Sequence, residues 1–170
     1  KEELVAASGA VKNWDTYWTV HAYNSNTVNL ALDAGAECID HAQLINEKTM
    51  KRIKREGIFL SSNLAGMSED LMKHPYFGNP KNPSHVKARY FIDHAKNFAN
   101  LVNKHQPKWV FGDDLVLSSQ TFLRQHLDFE KWYAADLFGN HFALRGMTST
   151  GGELAALTGQ NNPYPGKLGV

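Results

Sequence analysis

Three short runs in this chain carry side chains that bind metals. Thr19 to Tyr23 contains His21, Cys38 to Ala42 contains His41, and Val110 to Asp114 ends in the pair Asp113-Asp114. Each reads as a strand that stops at a His or Asp, with a loop or helix signal after it. In a parallel α/β structure, the points where strands hand over to loops converge on one face. Two imidazoles and a carboxylate gathered there can hold a catalytic divalent metal. Neutral imidazole and carboxylate suit zinc or a similar ion. Water on such an ion loses a proton near neutral pH and becomes a nucleophile. A carboxylate beside it can collect that proton and deliver it to a leaving group. Taken singly, each residue has a plainer reading. A lone His is more often a hydrogen-bonded core residue, Asp40-His41 can be a simple ion pair, and Asp113-Asp114 can start a turn or cap a helix. It is the coincidence of all three at strand ends that favours a site.

Other candidates are weaker. His74, His85, His94, His105, His126 and His141 fall in loops or on helix faces, where solvated or capping roles are expected. Ser61-Ser62 and Ser118-Ser119 lack a nucleophile-elbow context, and Gly151-Gly152 lacks a phosphate-loop pattern. The basic run Lys51 to Arg55 shares its helix with Glu47 and Glu56 and reads as a solvated face. Trp14, Trp18, Trp109 and Trp132 read as packing residues.

The elements that must position these residues alternate between strand and helix. Glu2 to Val11 is weakly helical. Strands are expected over Thr16–His21, rich in β-branched and aromatic residues, and over Glu37–His41, Ile58–Asn63 and Lys108–Gly112. A helix over Asn26–Ala34 stops at Gly35. Asn46 caps a second helix to Glu56, with Ile45 and Met50 placed as a hydrophobic staple and Gly57 beyond. Leu64 to Pro83 is a long loop with three prolines, and long loops inside compact domains are often functional. Ser84 opens a helix to His105, with Phe91, Ala95, Phe98 and Val102 at helical spacing. A loop over Ser118–Gln125 precedes helices at His126–Phe138, Asn140–Thr148 and Gly152–Leu157. The turn-rich Asn161 to Gly166 reads as an exit. Four β/α units in succession imply parallel strands with right-handed crossovers. A full (β/α)8 barrel needs eight units and about 250 residues, so these 170 residues supply about half of one. A small open sheet is the alternative.

Composition excludes some classes of function. A formal charge of +1 gives no electrostatic case for nucleic acid or an anionic membrane. No apolar run approaches the ~20 residues of a membrane span. The single Cys38 sits in a buried-looking strand, so no internal disulfide is expected and a reducing compartment such as the cytoplasm is compatible. The chain opens on Lys1 rather than Met, which leaves room for a processed or excised upstream segment, so localisation stays open.

At these residues the chain resembles the metal-dependent amidohydrolase superfamily, in its imidazolonepropionase-like and Xaa-Pro dipeptidase-like branch. The resemblance runs through His21-Ala22-Tyr23, through Ala34 to His41, and through Phe111-Gly112-Asp113-Asp114-Leu115. It continues in Ala143 to Thr150 and in Asn162 to Val170. It implies a single partial domain over 1–170, made of β/α units five to eight of a TIM-type (β/α)8 barrel. It also implies that His21 and His41 are the metal-ligand histidines of strands five and six. The strand-eight motif is usually Gly-Thr-Asp and here reads Gly112-Asp113-Asp114, so the ligand and proton-shuttling carboxylate falls on Asp114. Asp113 stands where Thr is usual, and a like charge beside Asp114 can raise one pKa. Tyr23 is the one side chain offered for substrate binding. The family's strand-one His-x-His pair, its bridging carboxylated Lys and its C-terminal β-rich segment do not lie in this chain.

The expectation is therefore a hydrolase of amide or other C–N bonds, acting on a cyclic amide or a dipeptide-like molecule through one or two divalent metals, zinc by preference. Two alternatives stand beside it. One is a catalytically inactive half-barrel that needs the complementary N-terminal half or a second copy. The other is a plain metal-binding module.

Overall fold

The structure, a computed structural model, describes residues 2–114 and 120–162, with the backbone alone over 120–125. The exit segment and the motif that ends at Val170 fall outside the described residues beyond Asn162, as do Leu115 to Ser119. Helix α1 spans Glu2–Asn13. Three β/α units follow: β1 (Thr19–Asn24) with α2 (Ser25–Asp33), β2 (Cys38–Leu44) with α3 (Glu47–Glu56), and β3 (Phe59–Ser62) with α4 (Pro83–His105). The strand β4 (Lys108–Phe111) then leads to α5 (Gln120–Phe138), α6 (Asn140–Met147) and α7 (Ser149–Ala156).

The strands form one sheet in the order β1-β2-β3-β4, every pair parallel. Sequential order requires each crossover to step the same way, so all the connecting helices lie on one face. A doubly wound open sheet would reverse direction partway. Stepping one way is how a barrel wall is built, and this separates the two topologies left open by the periodicity.

Alternate residues of each strand serve opposite faces. Ile39, Leu60 and Trp109 join Val28, Ile53, Phe98 and Val102 of the helices in the main core. On the other face Cys38, Phe59 and Val110 form a smaller cluster with Tyr17 and Leu154. Tertiary packing is tight where α6 crosses β4: a Cβ on Gly146 would lie 2.2 Å from the Trp109 ring, so only glycine lets the helix approach.

Helix ends follow their local chemistry. Asn24 Oδ1 accepts from the amides of Asn26 and Thr27 and starts α2. Asn46 Oδ1 accepts from Thr49 N, Ile45 and Met50 are both buried as a staple requires, and Gly57 ends α3 at φ +70°. On α4, Ala95, Phe98 and Val102 are buried as their spacing predicts, while Phe91 of the same stripe is only half-buried and lines a cleft.

Some expectations are corrected. The first two strands do not stop at His21 and His41 but run three residues further, to Asn24 and Leu44. The ladder passes a register shift between Ala22 and Asn24, and such an irregularity bends a strand without ending it. Helix α5 begins at Gln120 rather than His126, so most of the expected 118–125 loop is helical. The loop after β3 holds two short 3-10 turns, Ala65–Met67 and Glu69–Lys73. Trp14 and Trp132 are not packing residues: they are 75% and 77% exposed. Nor is the basic run uniformly solvated, because Arg52 reaches Asp33, Asn29 and Glu56 and ties α2 to α3. None of the described helices is long and apolar enough to cross a membrane.

Candidate active site

The C-terminal ends of the strands bring His21 and His41 together. His41 is buried midway along β2, and its backbone and that of Ala42 are both left-handed, at φ 75° and 56°. That pair turns the imidazole towards β1, where His41 Nε2 lies 3.0 Å from His21 Nδ1. The carbonyl of His41 accepts from the buried Ser62 hydroxyl at 2.7 Å, which pins the turn to β3.

The hydrogen-bond network fixes which imidazole nitrogen is bare. Gln43 Nε2 faces the backbone carbonyl of Asn63 at 2.7 Å, a position only an NH2 group can hold. The same NH2 donates to Asn63 Oδ1 at 3.0 Å, which identifies that atom as the oxygen. His41 Nδ1 lies 2.9 Å from Asn63 Oδ1 and must therefore carry the hydrogen. In that tautomer the lone pair of His41 is on Nε2, where it accepts from His21 Nδ1–H at 3.0 Å. This is the arrangement that orients a metal-binding histidine, an outer partner holding one nitrogen so that the other is free to ligate. Two nitrogens bound to one tetrahedral zinc stand about 3.3 Å apart, close to the 3.0 Å of this hydrogen bond, so a cation that replaced the shared hydrogen would need little movement of either ring.

Tyr23 extends the pair outward. Its ring stacks on His41 at 4.6 Å and meets His21 edge-on at 4.8 Å. Burial, and then the charge of Asp114, pushes the Tyr23 phenol above its usual pKa. Asp114 is exposed, with φ 50°, and Asp113 is half-buried. Both line a cleft of about 490 Å³ together with Tyr23, Gln43, Asn63 and Phe91. Asp114 stands apart from the imidazoles: among the described residues no three His, Cys, Asp or Glu side chains are grouped closely enough to hold a metal. The structure thus brings His21 and His41 together and places Asp114 in the lining of a cleft that Tyr23, which stacks on His41, also lines.

Glu130 is a site residue that the sequence reading passed over. Its side chain is fully buried in the middle of α5, and its carboxylate accepts from Leu64 N at 2.9 Å and Ala65 N at 2.8 Å. It anchors the first turn after β3, which forms a wall of the cleft. Burial pushes its pKa up to about 7, against the pull of those amides and of His126. His126 is half-buried rather than solvated, and its Nε2–H reaches the carbonyl of Asp113 at 3.1 Å. No pattern flags Glu130, since a lone Glu on a helix reads as surface. Gln43 and Asn63 carried only a weak signal, as polar residues just beyond apolar strand positions. Cys38 is buried with its thiol pushed up to about 11, so it is no nucleophile at neutral pH.

No protein-family model matches the chain, and no curated protein matches it. Solved structures do. A prolidase complexed with N-methylphosphonate-L-proline is 25% identical, with a TM-score of 0.75 over 98% of this chain and 40% of its own. An amidohydrolase at 20% identity superposes with a TM-score of 0.77 over 91% of this chain and 36% of its own. A Xaa-Pro dipeptidase with bound methionine, at 16% identity, gives 0.62 over 92% and 37%. The chain therefore has the fold of part of an amidohydrolase-like barrel, and it spans well under half the length of these neighbours.

Proposed function

We propose that this chain supplies part of the active site of a metal-dependent hydrolase of amide or other C–N bonds, with a cyclic amide or a dipeptide-like molecule as substrate. The observation that carries the reading is the His21–His41 pair, in which a bare Nε2 is held by the Asn63–Gln43 relay. The pair stands beside a cleft at the C-terminal ends of parallel strands, where such folds place catalysis. The solved neighbours named as prolidase, dipeptidase and amidohydrolase point the same way. His21 Nδ1 and His41 Nε2 would hold a divalent cation, zinc by ligand type, which supplies an activated water and a Lewis acid. Asp114, on the cleft rim, takes the role of the acceptor that passes a proton to the leaving nitrogen. Tyr23 flanks the reacting group. Asp113 backs Asp114 through its carbonyl contact with His126.

The test combines zinc titration with amide hydrolysis. Asp114→Asn is expected to lower turnover by about 10²–10⁴-fold, the worth of a general base, while zinc still binds at the histidines. If the variant changes neither turnover nor zinc content, the assignment of Asp114 is wrong. Zinc binding without hydrolysis would leave only a metal-binding module.

A second reading draws on the sheet. The outer edges of β1 and β4 have no strand partner among the described residues, and open edges are templates for pairing. On this reading the chain alone is an inactive half-barrel, completed by a complementary chain or a second copy. Size-exclusion chromatography with light scattering is then expected to give a dimer or larger species, and a stable monodisperse monomer would count against it.

A further inference from the structure

The cleft beside the histidines has uneven electrostatics. Asp113 and Asp114 mark one part of its lining, and Lys87 of α4 is the only Lys or Arg among the described residues that line it. Lys87 is exposed and forms no ion pair with a described carboxylate. Its ammonium instead lies over two rings, 5.4 Å from the centre of Tyr23 and 5.8 Å from that of Phe91. Rings hold a cation weakly when it is exposed, so the charge is positioned but not neutralised. Leu71, Phe77, Ala88 and Phe91 give the neighbouring wall an apolar character.

We infer that Lys87 sets the specificity of the proposed hydrolase site, by receiving a carboxylate on the leaving half of the substrate. The inference rests on the hydrolase reading and narrows it from cyclic or linear amides to carboxylate-terminated, dipeptide-like ones. Distances support it. Tyr23 touches both His41, at 4.6 Å between ring centres, and the Lys87 ammonium, at 5.4 Å, so Nζ lies within about 10 Å of the His41 ring. A carboxylate one residue beyond a scissile amide is offset from it by about 3.5 Å, and a charge-assisted contact to an ammonium adds about 2.8 Å. One amino acid thus fits between the imidazole pair and Lys87, with its side chain against Phe91 and Phe77. A neutral cyclic amide offers Lys87 nothing, and the two aspartates would repel an anion placed on their side.

The test uses the full chain with zinc and two probes, N-acetyl-L-phenylalanine and its C-terminal carboxamide, titrated while histidine resonances are followed by NMR. The acid is expected to bind about five- to tenfold more tightly than the carboxamide, the worth of one partly exposed charged contact. Lys87→Met should erase that preference and Lys87→Arg should keep it, with melting temperatures unchanged because residue 87 is exposed. Equal binding of the two probes by the unaltered protein overturns the inference. So does a preference that survives Lys87→Met, or the binding of neither probe. Hydrolysis of the acid probe is followed in parallel. A preference that depends on Lys87 without any turnover would sink the hydrolase reading and leave the anchor standing.

Discussion

On the hydrolase function proposed above, alanine in place of His41 is expected to abolish amide turnover and to weaken zinc binding by more than about 100-fold, beyond the loss a supporting partner causes. The imidazole supplies the Nε2 that meets His21 Nδ1 at 3.0 Å. The companion variant is the more informative. Asn63→Ala leaves both imidazoles in place but removes the oxygen that holds His41 Nδ1–H at 2.9 Å. Without it the ring can rotate or present the wrong tautomer, and a loss of about 10–100-fold in zinc affinity is expected. Calorimetric titration of the two variants beside the unaltered protein checks both. Asn63→Ala with undiminished zinc affinity would mean that the relay through Gln43 does not orient the site.

The second large effect concerns stability. Glu130 has its pKa raised from 4.5 to about 7, and burial is the cause. The folded protein therefore holds this proton more tightly than the unfolded chain does. Stability from this group is fully present below about pH 4.5, declines as pH rises, and is lost once pH passes about 7. The difference across that window is about 3 kcal/mol. Glu130→Gln keeps an acceptor for the Leu64 and Ala65 amides and removes the titration. Denaturant unfolding from pH 4 to 8 is expected to show the gap between variant and parent changing through that window, in favour of Gln at the alkaline end. Parallel curves would show that Glu130 keeps one protonation state throughout. His126 and Asp113 face the same carboxylate with opposite effects and set where the midpoint falls.

The fold was largely legible because its signals are local. Asn46, Ile45, Met50 and Gly57 mark α3 by capping and staple chemistry, and the structure returns that helix with the same cap and the same stop. The spacing of Ala95, Phe98 and Val102 gives α4 in the same way. What stayed illegible depends on non-local geometry. Strand order needs the paired sheet, and the spacing of β/α units is the same in a barrel segment and in a small open sheet. The start of α5 was misplaced because Ser118 to Gln125 carries no strong helical period. Trp14 and Trp132 were misread because hydrophobicity alone does not say which way a ring points. At the site, His21 and His41 were legible because they follow strand patterns. Gln43, Asn63 and Glu130 were not, because their roles exist only where three elements meet: the second half of β2, the turn after β3 and the middle of α5.

The two left-handed residues inside β2 bear on how this sequence can drift. His41 and Ala42 hold φ values of 75° and 56°, a conformation that costs a non-glycine residue about 1–3 kcal/mol and persists only where the surroundings impose it. Glycine is the residue that relaxes such a backbone most cheaply, yet glycine at 41 would delete the imidazole. Selection for stability and selection for the site therefore pull position 41 in opposite directions. At 42 they pull the same way, towards the smallest side chains, because that residue is fully buried as well as left-handed. The His-Ala pair records a trade-off in which the backbone carries strain so that one nitrogen can face another.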